Sequence, residues 1–137
     1  MKDSASYQLV ILALFVASVL ALDSHGQDAP KPNKRAEFMG LKLHNSKKIL
    51  EGLVTENFDF IEDGAGKLKR LSMAAEWEVP TIPNVQEYLP FTTDFQRIAD
   101  DLQKAARAKN LDGATLAYTR MTINCVDCHK YVRSFTR

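Results

Sequence analysis

Five residues close to the C-terminus carry the chemistry: Cys125-Val126-Asp127-Cys128-His129. Two thiols three residues apart, followed at once by an imidazole, form the C-x-x-C-H attachment site of a c-type haem. The thiols add across the two vinyl groups of one porphyrin edge, and the adjacent imidazole reaches the iron from the same side. On this reading Cys125 and Cys128 form the thioethers and His129 is the proximal iron ligand. Other chemistries use the same residue types. A thioredoxin-like dithiol sits at the start of a helix after a strand, and no strand pattern precedes Cys125. A tetrahedral zinc site needs four ligands, whereas the chain has two cysteines and three histidines, with His25 and His44 distant in sequence. A plain disulfide leaves the position of His129 unexplained.

The elements that position this motif read as helices. Over Lys34 to Val54 the residues Met39, Leu43, Ser46, Leu50 and Leu53 recur at spacings of four and three, flanked by Leu41 and Ile49, and predict one buried stripe. Gly52 reads as a signal for the end of that helix. After Thr55 to Asn57 a second helix carries Phe58, Ile61, Ala65, Leu68, Leu71 or Ser72, and Ala75 inward. Gly64-Ala65-Gly66-Lys67 lacks the rest of a P-loop and reads as helix with weak propensity, bent or packed close to a neighbour. Trp77 to Phe91 contains Pro80, Pro83 and Pro90 and reads as the one long connection, with Trp77 a core plug. A third helix is expected from Thr92 or Thr93 to about Asn110, with Phe95, Ile98, Leu102, Ala105 and Ala106 inward. Asp112 is the expected N-cap of a fourth, whose stripe is Ala114, Ala117, Met121, Cys125, Cys128, Val132 and Phe135. The expected fold is all-α, an antiparallel up-down-up-down four-helix bundle with a covalently attached haem in its core.

The N-terminal residues read as an address. Lys2 precedes an apolar run from Leu9 to Leu22 broken only by Ser18, too short to span a bilayer comfortably and suited to a signal-peptide core. Val19-Leu20-Ala21 fits the cleavage rule, which predicts a signal segment over 1–21 and a flexible leader over 22–33 with Pro30 and Pro32, leaving the four-helix domain over 34–137. Asp3 offsets Lys2, so a retained membrane anchor is the other outcome. Export to a periplasmic or equivalent space agrees with a chain whose two cysteines would both be consumed by a haem. Eighteen basic against seventeen acidic residues, formal charge +1, give no electrostatic case for nucleic acid.

A C-terminal C-x-x-C-H on the fourth helix, with Arg133 four residues after His129, resembles the class II cytochromes c, the family of cytochrome c′ and its low-spin relatives such as cytochrome c556. The resemblance covers Lys34 to Arg137. The family usually has an aromatic residue just before that arginine; here Val132 holds the place and Tyr131 comes one earlier.

The sixth iron position separates two functions. In such a bundle the start of the first helix and the end of the last share one end; Met39 lies roughly 7 Å in from it and His129 roughly 11 Å. Met39 also matches in place the methionine that low-spin members of the family use as distal ligand. Met73 is a rival donor, and ordinary core packing is the plain alternative for either methionine. His44, five residues from Met39, is turned about 140° round the helix and faces water. Leu43 and Met121 are expected against the haem. Arg133 is expected over the proximal face, or as a surface cation favoured by the helix dipole. A His129/Met39 pair predicts a single-electron carrier. An open position capped by Leu43 predicts a protein that binds nitric oxide or another diatomic gas, as cytochrome c′ does. No base or nucleophile converges on the motif, so neither reading is an enzyme. The expected partners are redox proteins, steered by Lys34, Arg35, Lys42, Lys130, Arg133 and Arg137. The resemblance also implies a homodimer through the first two helices as one assembly state.

Overall fold

The structure, a computed structural model, describes residues 33–75 and 82–135. The segment 1–21, the leader up to residue 32, Trp77 and Arg137 lie outside the described residues. Those described form four helices and no strand: α1 Lys34–Val54, α2 Phe58–Met73, α3 Val85–Arg107 and α4 Leu111–Arg133. None of these helices is long and apolar enough to cross a membrane.

Two short turns of the same design set the hairpins. Glu56 and Lys109 take left-handed backbone (φ 54° and 52°). Each is followed by an asparagine whose side-chain oxygen accepts from a helix N–H three residues on: Asn57 from Phe60 at 3.1 Å, Asn110 from Gly113 at 2.9 Å. The expected cap Asp112 is thus corrected to Asn110. The left-handed turn brings the asparagine to the exposed N–H groups first, and Asp112 sits in the first turn, where its charge suits the dipole.

The third helix starts earlier than expected, at Val85, with Pro90 inside it. Pro90 lies in the second turn, so its missing N–H removes one bond, to the Gln86 carbonyl. Packing offsets that loss. Tyr88 is buried, Tyr131 donates its hydroxyl to the Asn84 carbonyl at 2.8 Å, and the Tyr131 ring lies 5.4 Å from that of Phe91.

The stripe expected on α1 also shifts. Its buried residues are Asn45, Ile49 and Gly52, while Leu43 and Leu50 are 56 % and 48 % exposed. Close approach to α2 at glycines decides which face goes inward. A methyl group on Gly64 would lie 2.7 Å from Ile49 Cγ1 and 3.1 Å from the Asn45 carbonyl oxygen; one on Gly52 would lie 2.9 Å from Ile61 Cγ1. Gly52 therefore serves a helix contact, and α1 continues to Val54. The glycine pair of α2 is likewise the close-packed helix of the sequence reading, since Gly64 and Gly66 are both buried.

Consecutive helices pack most extensively, and of the four pairs that neighbour each other round the bundle, α1 and α4 are packed least closely. At the hairpin end the core is continuous: Ile49, Ile61, Ala65, Ala99, Leu102, Ala106, Ala114 and Ala117. Lys48 of α1 ties to Asp63 of α2 at 2.6 Å, and Lys67 reaches the same carboxylate at 2.8 Å.

Two outcomes follow. Gly64→Ala is expected to destabilise the fold by about 1–3 kcal/mol in a denaturant melt, the range for forced overpacking. Hydrogen bonds from Lys48 and Lys67 hold the Asp63 carboxyl at about 2, below its ordinary 3.8. A depressed carboxylate stabilises the fold fully above pH 3.8, and the contribution fades as pH falls toward 2. In Asp63→Asn, stability should lose that part of its acid dependence, as read from melts at stepped pH.

Candidate cofactor site

Helical spacing aligns the motif. Positions 121, 125, 128 and 132 fall on one face of α4, so the buried Met121 leads directly to the half-buried Cys125 and Cys128. His129, one residue on, is exposed at the edge of that face. The face looks into a gap instead of a filled core. Near mid-bundle the Ser46 hydroxyl of α1 and the Tyr118 hydroxyl of α4 lie 3.2 Å apart. Between that link and the far end of the bundle a cavity of about 530 Å³ separates α1 from α4, within the range of small-molecule and cofactor sites.

Each helix supplies one wall of the cavity. Cys125, Cys128 and His129 line it from α4; Met39, Lys42 and Leu43 line it from α1. Leu68, Ser72 and Met121, all buried, form its floor. Tyr88, Phe91 and Phe95 of α3 close the remaining side. Spacing of three and four puts these aromatics on one face, a signal hidden in the sequence because Pro90 was read as outside the helix.

The motif is held against α3 on both flanks. Asn124, immediately before Cys125, donates its amide to the Phe91 carbonyl at 3.1 Å. Tyr131, two residues after His129, binds the Asn84 carbonyl and packs edge-on against Phe135 at 4.9 Å. The aromatic at 131 thus braces the start of α3, and Val132 is half-buried on the motif's own face. Asp127 turns outward and pairs with Lys130 at 3.3 Å.

Of the residues expected at the site, Cys125, Cys128, His129, Met39, Leu43 and Met121 share this one cavity. Arg133 is exposed and lies outside the lining. Met73 is 53 % exposed, and neither it nor the exposed His44 lines the cavity. Lys42, assigned to a surface rim from sequence, is half-buried in the wall instead.

Both thiols are unpaired. Burial pushes each above its ordinary value of 9.0, and the Lys42 ammonium pulls each partly back. Among the described residues no three His, Cys, Asp or Glu side chains meet as a metal-binding group. The cavity thus gathers two thiols, an imidazole and a methionine sulfur on one lining.

Because the thiolate is the reactive form, Cys125 and Cys128 of the haem-free chain should alkylate with iodoacetamide more slowly at pH 8 than in the urea-unfolded chain. The difference should shrink as pH rises past 9.0. Equal rates in the two states would show that the folded wall does not shield the thiols.

No family model, no curated protein and no solved structure matches this chain.

Proposed function

We propose that the chain is an exported carrier of single electrons, with one haem c held through thioethers at Cys125 and Cys128 and ligated axially by His129 and Met39. One observation carries the reading. Two unpaired thiols, an imidazole and a thioether from opposite helices line the same mostly apolar cavity. When bound, haem supplies a reversible one-electron iron couple that no side chain of the chain offers.

The chain's own residues have separable roles. Cys125 and Cys128 would hold one edge of the group covalently on α4, so its attachment would not depend on the iron ligands. His129 gives a neutral nitrogen donor next to the second thioether. Met39 gives a soft sulfur donor from α1, and a Met/His pair raises the reduction potential. Tyr88, Phe91 and Phe95 exclude water from the third side. Exposed Lys34, Arg35, Lys130 and Arg133 at this end of the bundle support docking of an acidic redox partner.

A second reading draws on Leu43. It lines the cavity one turn after Met39, where it would cap a small ligand if the sulfur stayed off the metal. That arrangement suits a protein that binds nitric oxide.

Optical spectra of the purified holoprotein separate the two. For an electron carrier the oxidised protein shows a low-spin spectrum with the weak long-wavelength band of methionine-to-ferric-iron charge transfer. The band disappears in Met39→Ala and persists in Met73→Ala. A high-spin spectrum that changes immediately on adding nitric oxide would remove Met39 from the iron and establish the gas-binding alternative.

A further inference from the structure

Lys42 is the one permanently charged side chain among the residues lining the cavity. Its stem runs inward from α1, and its ammonium lies 4.9 Å from the centre of the Phe95 ring and 5.3 Å from that of Phe38. Aromatic faces attract a cation at this range, so the two rings hold the charge in the wall. The same lining holds the thiols of Cys125 and Cys128, the His129 imidazole and the Met39 sulfur. A group attached to those thiols would occupy the space this ammonium borders.

We infer that Lys42 is a potential-setting residue: its positive charge, fixed in the cavity wall by Phe38 and Phe95, disfavours the ferric state of the attached haem and raises the reduction potential. This rests on the haem reading above. Oxidation adds one positive charge to the group, and a cation a short distance away in surroundings of low polarity opposes that charge. A unit charge at about 8–10 Å in an effective dielectric constant of about 20 changes a ferric/ferrous ratio about twentyfold. The same charge already acts across the cavity on both thiols, drawing each pKa down against the effect of burial. Lys42 does not have to touch the iron, so its removal leaves the axial ligands in place.

The test is spectroelectrochemical titration of the holoprotein and three variants, with the optical spectrum recorded at each step. Lys42→Met should lower the midpoint by about 75 mV, the one-electron equivalent of a twentyfold ratio, with absorption bands unchanged. Lys42→Arg, which keeps the charge, should stay near the parent value. If Lys42→Met does not mature, the neutral but hydrophilic Lys42→Gln carries the same expectation. An unchanged midpoint in the neutral variants, or an equal fall in Lys42→Arg, overturns the inference while the haem reading stands. A colourless parent protein overturns the haem reading itself and this inference with it.

Discussion

A helix that carries two thiols and an imidazole within five residues has to turn them toward empty space if they are to hold a group as large as a porphyrin. On the proposed haem reading, that requirement accounts for the layout of the bundle. From the hairpins to mid-bundle, α4 presents Ala114 and Ala117 to a closed core of alanines, isoleucines and Leu102, and glycines draw α1 against α2. Past the Ser46–Tyr118 link, α1 and α4 separate and the side chains change to Met39, Leu43, Cys125 and Cys128. One end of the molecule supplies stability and the other supplies room. An apolar cavity of this size forgoes the contacts a filled core would make. A group bound there would complete the core and stabilise the fold as well as give it a function.

The polar contacts around the motif act on its placement. Asn124 and Tyr131 bracket Cys125–His129 and bind backbone carbonyls of α3 and of the residue before it, at Phe91 and Asn84. The same stretch of α3 contains Pro90 and contributes Tyr88 and Phe91 to the cavity wall. A hydrogen-bond deficit within the helix is thus located where α4 supplies partners and ring contacts from outside. Alignment of the thiols and closure of the aromatic wall depend on one set of interactions.

Much of this was legible in the sequence where local rules and tertiary packing agree. The bounds of α1 and the start of α2 follow from periodicity and from the Thr55–Asn57 break. The inward face of α2 follows from Ile61, Ala65, Leu68 and Ser72. Sequence reasoning went astray where packing outweighed a local preference. The local rule places Pro90 in a connection, yet a proline in the second turn costs one hydrogen bond, and the burial of Tyr88 with the Phe91–Tyr131 ring contact offsets it. On α1 periodicity predicts a stripe through Met39, Leu43, Ser46, Leu50 and Leu53, yet backbone approach at Gly52 and Gly64 turns Asn45 and Ile49 inward and leaves Leu50 half exposed. Lys42 was assigned to the surface by its charge; its apolar stem and two aromatic rings allow it to sit in the wall. Six expected site residues meet in one cavity because they lie on helix faces set by simple periodicity. Arg133, expected on the basis of the motif alone, does not join them.

Covalent attachment at Cys125 and Cys128 is tested by the mass of the exported protein's C-terminal proteolytic fragment, taken after denaturation and reduction. The account predicts a fragment containing residues 125–129 that is heavier by one haem and has no thiol left to alkylate. A fragment of unmodified mass that takes up two equivalents of alkylating reagent, from protein made where c-type haem is being attached, would contradict it.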